Sequence, residues 1–303
     1  MFTPLVANTP WPGKPGSRTA VGPFHGGADA RCVAELASPD RLLLVITPDT
    51  SSALALEREL PFYLDSPSEI LAFPDWETLP YDSFSPHQDI ISERLSTLHR
   101  LPALSAGILV VPVPTLMHRL PPTEYIAASS LVLAQGQSLD VDSFRRNLER
   151  NGYRNVDTVY EHGEFALRGS LFDIYPMGSR LPYRIDLLDD EVDTLRTFDP
   201  ESQRTVTKVS KINLLPAREY PLDRAAISRF QLNWYEQFEV DHDQCPTYVE
   251  VSAGRSTGGC EYYLPLFFHN CATCLLYTSP SPRDKIYYRV CRLLLVNLGG
   301  GGG

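Results

Sequence analysis

The sequence predicts an α/β fold, in which a domain built on a parallel sheet precedes a small α+β domain. The first third of the chain alternates continuous apolar runs with helix signals, as in strands that helices cover on both faces. From about residue 150 the apolar period changes to two, which indicates antiparallel strands. The length of 303 residues favours about two domains of roughly 150 residues each.

The first domain should contain three strands separated by helices. The run RLLLVI at 41–46 reads as a buried strand, and the turn at 47–50 ends it and offers helix caps. This alternation is typical of one half of a doubly wound or RecA-like fold. The predicted elements are a helix through Val33 and Leu36, a strand at 41–46, a helix through Ala53, Leu56 and Leu60, a strand at 70–73, a helix that follows Ser85 and a strand at 108–113.

The third helix of this domain has the clearest start signal in the chain. Ser85 is the expected N-cap, Pro86 takes the first helical position, and Gln88 completes a capping box. Apolar residues then recur at helical spacing, so one face of the helix should be buried. These residues are Ile90, Ile91, Leu95 and Leu98.

The prolines at 121–122 and the serines at 129–130 separate the two domains, with a boundary near residue 127. Ser138 or Asp140 can cap the helix that opens the second domain, and Gly152 follows its end. The apolar positions of this helix are Leu139, Val141, Phe144 and Leu148. Strands are expected at 156–160, 165–175, 183–188, 192–198 and 205–214, and a further helix at 225–238.

Composition limits the classes of function. The net charge of −10 and the pI near 5.2 oppose a surface that binds nucleic acid through many phosphate contacts. No apolar run reaches the ~18 residues of a membrane span, and the start of the chain lacks a signal-peptide pattern, so we expect no membrane contact and a cytoplasmic location. Cys271 and Cys274 form one C-x-x-C pair without further ligands at zinc spacing, which argues against a metal site.

The glycine-rich loop at 22–30, GPFHGGADA, lies where a nucleotide-binding fold carries its phosphate loop. It has neither the Lys that holds phosphates nor the hydroxyl that binds Mg²⁺, so we do not expect this chain to hydrolyse ATP. The segment 187–191, LLDDE, imitates the acidic strand end of an ATPase, but its position between alternating strands favours a hairpin turn.

Other catalytic arrangements are equally unsupported. No Ser or Cys has the local pattern of a hydrolytic triad. His87, Asp89 and Glu93 are interpreted as a solvated or hydrogen-bonded helix start and not as catalytic groups. The sequence therefore predicts no catalytic residue, no cofactor and no metal for this chain.

A binding surface is easier to support. In the strand at 183–188, alternation places Arg184 and Leu188 on the face opposite the core. In an earlier strand, Leu167 should point inward and Arg168 outward. An arginine beside an exposed apolar side chain is typical of the anchor of a protein interface. The alternative is a solvated sheet face with one tolerated leucine, and the residues alone do not separate the two.

Five strings give the chain a family resemblance: DWETLPYDSFSPHQDIISERLSTL, ILVVPVPTLM, EHGEFALRGSLFDIYPMGS, LPYRIDLLDDEVDTLRTFD and INLLPA. Over residues 17–268 the sequence resembles the UvrB-homology part of the bacterial transcription-repair coupling factor family. The resemblance implies a degenerate RecA-like domain without a Walker A motif at 1–127, an inserted α+β domain that binds UvrA at 128–213, the truncated start of a returning segment at 214–268, and at 269–303 a disordered non-family tail that looks like a sequencing artefact.

For function, the resemblance implies a module that recruits UvrA for transcription-coupled nucleotide excision repair at a stalled RNA polymerase. Arg168 and Arg184 match basic residues of the UvrA-facing surface. Leu188 stands where relatives often carry Phe, so it lacks the ring contact. No cofactor is implied here, because the family's ATP and Mg²⁺ belong to its DNA translocase motor. Contacts with RNA polymerase and DNA are implied for domains absent from this chain, which would itself contact those C-terminal domains.

Two other functions stay open at the level of sequence. One is a UvrB-like fragment of an ATP-dependent DNA-binding helicase, which nucleotide binding or a steep salt dependence of DNA binding would favour. The other is a structural brace that restrains the motor, which a comparison of the motor's ATPase rate with and without the module would reveal.

Overall fold

The structure is a computed structural model that describes residues 22–64, 68–80 and 82–274, together with the backbone of 290–291. The predicted disorder of the tail at 269–303 therefore concerns residues that lie mostly outside this description. Among the described helices, none is long and apolar enough to cross a membrane. Contacts divide the chain into two compact units, one formed by Met1–Asp75, Arg100–His118 and Cys274–Gly303, the other by Trp76–His99 and Arg119–Thr273.

Helices and strands alternate first and strands dominate later. The α-helices are α1 Ala28–Leu36, α2 Thr50–Tyr63, α3 Gln88–Arg100, α4 Val113–Met117, α5 Thr123–Ala128, α6 Val141–Arg150, α7 Arg224–Gln237 and α8 Pro246–Ser252. The strands are β1 Leu42–Thr47, β2 Ile70–Ala72, β3 Gly107–Pro112, β4 Leu131–Ala134, β5 Arg154–Asn155, β6 Glu164–Arg168, β7 Leu171–Ile174, β8 Tyr183–Leu188, β9 Glu191–Phe198, β10 Thr205–Val209, β11 Lys211–Leu214 and β12 Val290–Cys291. Short 3₁₀ helices lie at Leu101–Ala103, His242–Gln244 and Cys260–Phe267.

The first unit is built on a parallel sheet, as predicted. Its strand order is β12-β1-β3-β2, and β1 and β3 are buried along their whole lengths. Asp49 caps α2, because its carboxylate accepts a hydrogen bond from Ser52 N at 2.8 Å. Helices α1 and α2 share a core with this sheet through the expected apolar positions, which include Val33, Leu36, Ala53, Leu56 and Leu60.

The second unit contains the predicted helix and antiparallel strands. Six strands form one sheet in the order β10-β9-β8-β7-β6-β5, with all neighbours antiparallel except β5 and β6. Helix α6 covers one face, where the ring centroid of Phe144 lies 5.1 Å from that of Phe172. Of the two expected caps of α6, Asp140 is the one used, since it accepts from Ser143 N at 3.3 Å. The α/β class with both sheet types is therefore confirmed.

Three of the predicted strands differ from the structure. The strand expected at 165–175 is a hairpin, because Gly169 adopts a φ of 63° between β6 and β7. The strand expected at 205–214 breaks at Ser210, and its halves β10 and β11 join different sheets. Residues 156–160 are not a strand, and the short β5 precedes them. The first two errors have the same cause. Each turn interrupts an apolar alternation that continues on both sides of it, so the alternation alone does not reveal the turn.

Helix α3 begins later than predicted, so the expected capping box is wrong. The helix starts at Gln88, so Ser85 precedes its N-terminus, and the Ser85 hydroxyl instead donates to a carboxylate oxygen of Glu261 at 3.0 Å. Nδ1 of His87 accepts from Asp89 N at 3.2 Å and serves in its place. The apolar stripe is confirmed by the burial of Ile91, Leu95 and Leu98, whereas Ile90 is only half-buried.

Helix α3 belongs to the second unit, whereas the sequence predicts it in the domain at 1–127. Its Arg94 is fully buried and donates to the Glu219 carboxylate from Nε at 2.6 Å and from Nη2 at 3.2 Å. Trp76 donates to the same carboxylate from Nε1 at 3.4 Å, and Arg94 lies 4.8 Å from the centroid of its ring. This buried pair joins α3 to the segment after β11, which explains why α3 groups with the later part of the chain.

The region after β11 has an aromatic core of its own. Helix α7 lies where it was expected, and Asp223 caps it by accepting from Ala226 N at 2.9 Å. On its buried side Phe230 stacks on Phe267 at 4.8 Å between ring centroids, and Trp234 packs next to it at 5.4 Å. This core supports the 3₁₀ helix at Cys260–Phe267 from which Glu261 reaches the start of α3.

Two glycines of this region offer a matched test of a close backbone approach. Gly254 and Gly259 both have a φ of 76°. A Cβ on Gly259 would lie 2.2 Å from the Asp82 carbonyl oxygen, whereas on Gly254 the nearest atom is Ile227 Cδ1 at 3.8 Å. We expect Gly254→Ala to lower the free energy of unfolding by about 1 kcal/mol from backbone strain, and Gly259→Ala by a further ~1–3 kcal/mol from the clash. Urea unfolding measures both, and equal losses would contradict the close approach.

Candidate protein-docking surface

The residues that the sequence singled out lie on the face of the six-stranded sheet opposite α6. Along β8, Ile185 and Leu187 are buried on the α6 side, whereas Leu188 on the other side is 67% exposed. Arg184 shares the face of Leu188, as alternation predicts. The cross-strand register places Arg184 opposite Asp173 of β7. Charged residues from neighbouring strands therefore meet on this outer face.

Asp173 is the centre of the charged group. Its side chain is 1% exposed, and it accepts from Arg184 twice, from Nε to Oδ1 at 2.7 Å and from Nη2 to Oδ2 at 2.8 Å. Arg168 adds a third hydrogen bond, from Nη2 to Oδ2 at 2.5 Å. A buried carboxylate needs paired charge and hydrogen bonds, and two guanidinium groups supply both. Sequence reasoning missed Asp173, although a lone Asp within the run SLFDIY is a signal of buried charge.

Arg184 is less available than the sequence suggested. Its side chain is only 17% exposed, and besides Asp173 it donates from Nη1 to the carbonyl oxygen of Gln203 at 3.2 Å. The guanidinium carbon lies 4.6 Å from the centroid of the Phe198 ring. The hydrogen bonds to Asp173 raise the pKa of Arg184 above its ordinary value, so this side chain is a fixed cation. Arg184 is on the predicted face, but it supports the surface more than it projects from it.

Arg168 is the exposed partner of the pair. Its side chain is 48% exposed and sits at the end of β6, directly before the turn at Gly169. The outward prediction for Arg168 is therefore confirmed. Leu167, which was expected to point inward, is 37% exposed, and it belongs to the exposed end of β6. This end of the hairpin presents both a cation and partly exposed apolar surface.

Leu188 lies at the same end of the sheet as Arg168. The backbone N–H of Leu187 donates to the carbonyl oxygen of Ser170 at 2.9 Å, which brings the end of β8 beside the β6–β7 turn. The next residue, Leu188, projects from the outer face and is largely exposed. An arginine and an aliphatic side chain thus occupy one corner of the face, as an interface anchor requires.

A second ion pair extends the outer face toward β9. Arg196 lies opposite Arg184 in the register and pairs with Asp186, which also accepts from the Thr194 hydroxyl at 2.6 Å. Opposite charges on adjacent strands stabilise a sheet by about 0.2–1 kcal/mol per pair. Arg196 was not among the residues singled out from the sequence, although strand alternation places it on this face.

The segment 187–191 is a hairpin turn, which confirms the structural interpretation of LLDDE. It connects β8 to β9, and Asp189 at its tip adopts a φ of 53°. Asp and Asn tolerate this left-handed conformation better than most residues, so the acidic pair fits a turn. The resemblance to an ATPase strand end is therefore coincidental in this chain.

The glycine-rich loop at 22–30 leads into α1 without a side-chain cap. A Cβ on Gly27 would lie 2.5 Å from the Tyr63 hydroxyl and 3.1 Å from a carboxylate oxygen of Glu59, so α2 packs closely against the loop. A cavity of about 200 Å³ beside it is lined by both Asp29 and Glu59. Within the described ranges, no group of three or more His, Cys, Asp or Glu has the arrangement of a metal site.

Comparison with known proteins places the outer face within a described domain family. The family model of the UvrB interaction domain matches residues 131–220, which include Arg168, Asp173, Arg184 and Leu188. The chain is 50% identical over 289 residues to the transcription-repair-coupling factor of Escherichia coli (strain K12), covering 95% of the chain and 24% of that protein. It is 46% identical over 264 residues to the factor of Haemophilus influenzae, covering 86% and 23%.

The chain spans about a quarter of the length of these curated relatives. The match to the Escherichia coli protein leaves only a twentieth of the chain uncovered, whereas the segment 269–303 makes up more than a tenth of it. That match therefore extends past Phe268, further along the chain than the motifs had indicated. A more distant relative, the factor of Rickettsia bellii, is 34% identical over 227 residues. The chain belongs to the transcription-repair-coupling factor family.

Proposed function

We propose that this chain is the module of a transcription-repair-coupling factor that recruits UvrA, so that nucleotide excision repair reaches a stalled RNA polymerase. The observation that carries the proposal is the corner formed by the exposed Arg168 and Leu188 within the segment that matches the UvrB interaction domain. UvrA docks on the outer face of the six-stranded sheet. RNA polymerase and DNA contact the remaining parts of the longer family proteins, which also hold the ATP-driven motor.

The alternative is a UvrB-like fragment that binds ATP and DNA. The parallel sheet of the first unit is compatible with a RecA-like domain, and we infer that its nucleotide site has been lost. In the described structure, the hydroxyl of Tyr63 and a carboxylate oxygen of Glu59 lie close to Gly27, and two carboxylates line the adjacent cavity. Carboxylates repel phosphate, and no Lys or Arg is among the described lining residues. Measurable ATP binding by the 303-residue chain would favour the alternative.

Titration of the chain with UvrA in a calorimeter tests the proposed function. We expect Arg168→Ala to weaken binding by about tenfold, because a charge-assisted hydrogen bond in a desolvated interface contributes roughly 1–3 kcal/mol. The matched control is Arg146→Ala, which removes an exposed arginine from α6 on the opposite side of the sheet. Unchanged binding by a variant that carries both Arg168→Ala and Arg184→Ala would refute the assigned surface.

A further inference from the structure

The two arginines of the docking surface have different roles because they contact Asp173 differently. Arg184 gives Asp173 one whole edge of its guanidinium, Nε and Nη2, and gives its third nitrogen to the carbonyl oxygen of Gln203. The Phe198 ring lies against it as well. Arg184 is thus bonded through all three nitrogens and cannot turn toward a partner without breaking these contacts.

Arg168 contacts Asp173 through a single nitrogen. Only Nη2 is bonded, while Nε and Nη1 have no hydrogen-bond partner in the part of the chain that the structure describes. A guanidinium has five N–H donors, so most of the donors of Arg168 stay open on a half-exposed side chain. The contact with Asp173 restricts the rotation of the Arg168 side chain, while its other nitrogens stay open to a partner.

We propose that Asp173 is a positioning residue of the docking surface, which fixes Arg184 in the sheet and orients Arg168 toward the partner. The inference rests on the proposed function and specifies the chemistry of the contact. A partner carboxylate fits the free edge of Arg168, and an apolar side chain next to it fits the exposed Leu188. Preorganised side chains lose less conformational entropy on binding, which is how a residue that never touches UvrA strengthens the complex.

One substitution distinguishes positioning from simple charge attraction, because the two predict opposite changes in the affinity for UvrA. Asp173→Asn keeps the shape of the side chain, removes a negative charge and leaves the outer face more positive. If the surface attracts UvrA by charge alone, the more positive face binds an acidic partner more tightly. If Asp173 positions the arginines, its loss weakens binding although the face has gained positive charge.

Calorimetric titration with UvrA is therefore repeated with Asp173→Asn. We expect about a tenfold higher Kd than for the unchanged chain, since the charge-assisted hydrogen bond that orients Arg168 is lost. Asp186→Asn is the matched control, because it makes the same charge change on the same face next to Arg196. The double variant with Arg168→Ala should bind no more weakly than Arg168→Ala alone, because Asp173 acts through that arginine.

Each outcome has a distinct meaning. If the unchanged chain does not bind UvrA, the proposed function fails. If it binds and Arg168→Ala weakens it, but Asp173→Asn binds equally or more tightly, the positioning role is refuted. If Asp173→Asn does not fold, hydrogen exchange at Nε of Arg184 is measured in the unchanged chain instead. We expect slower exchange there than at Nε of the exposed Arg204, and equal rates would overturn the proposal.

Discussion

Glu219→Ala is expected to lower the free energy of unfolding by about 3–5 kcal/mol, because it leaves a buried charge without its partner. Arg94 is fully buried, and the substitution removes the carboxylate that balances its charge. It also removes the acceptor of the Trp76 indole N–H. Arg94 lies on α3, Trp76 on the loop before it and Glu219 on the segment after β11. The substitution should therefore weaken the packing between these three parts of the second unit.

Urea unfolding followed by tryptophan fluorescence measures this effect, since Trp76 and Trp234 both lie in the second unit. The matched control is Glu250→Ala, which breaks the pair with Arg255. That pair has the same forked geometry, at 2.6 and 2.9 Å, but the side chain of Arg255 is 60% exposed. Solvent screens such an exposed pair, so the control should lose little stability. Similar losses for the two variants would contradict the importance of burial.

An apolar replacement of the whole pair distinguishes a missing charge partner from a missing contact. Arg94→Met combined with Glu219→Leu leaves no uncompensated charge, and such replacements of buried ion pairs are often neutral or stabilising. We therefore expect the double variant to recover most of the stability that Glu219→Ala loses. A double variant as unstable as the single one would show that shape, and not charge, dominates this site.

The buried pair also marks the limit of what local sequence patterns predict. The stripe of Ile91, Leu95 and Leu98 identified one face of α3, and the structure confirms it. The same helix buries Arg94 beside this stripe, against a residue 125 positions later in the chain. Helical periodicity treats arginine as a solvent-facing residue, so it cannot indicate a long-range partner of opposite charge. For that reason the sequence did not reveal the contact between Arg94 and Glu219.

At the docking surface, too, local sequence patterns predicted which face a residue occupies but not its contacts with other strands. Strand alternation placed Arg184 and Leu188 on one face, and the burial along β8 confirms this. Alternation could not show that Arg184 is bonded to Asp173, because that contact depends on the register between β7 and β8. The hairpin at Gly169 pairs β6 with β7 and so brings Arg168 to Asp173, whereas the apolar pattern predicted one long strand there. Missing the turn therefore also concealed the contact between Arg168 and Asp173.

Stability of the chain is expected to fall as the pH rises from about 5 to 8, through Glu261. Burial raises the pKa of Glu261 to about 7 from its ordinary value of 4.5, and the nearby charge of Glu219 acts in the same direction. Between these values the folded chain holds a proton that the unfolded chain has released. The contribution of Glu261 to the free energy of unfolding is therefore fully present below pH 4.5, and it is lost as the pH passes 7. This pKa shift corresponds to a change of about 3 kcal/mol in the free energy of unfolding.

Glu261→Gln should remove this pH dependence, because the amide stays neutral and can still accept the hydrogen bond from the Ser85 hydroxyl. At pH 8 we expect the variant to be more stable than the unchanged chain by up to about 3 kcal/mol, and at pH 4.5 to be close to it. Urea unfolding at several pH values measures the difference, and Glu236→Gln on the exposed side of α7 is the control. Since all other titrating groups are shared, a constant difference between Glu261→Gln and the unchanged chain across this range would mean that the buried carboxyl does not titrate there.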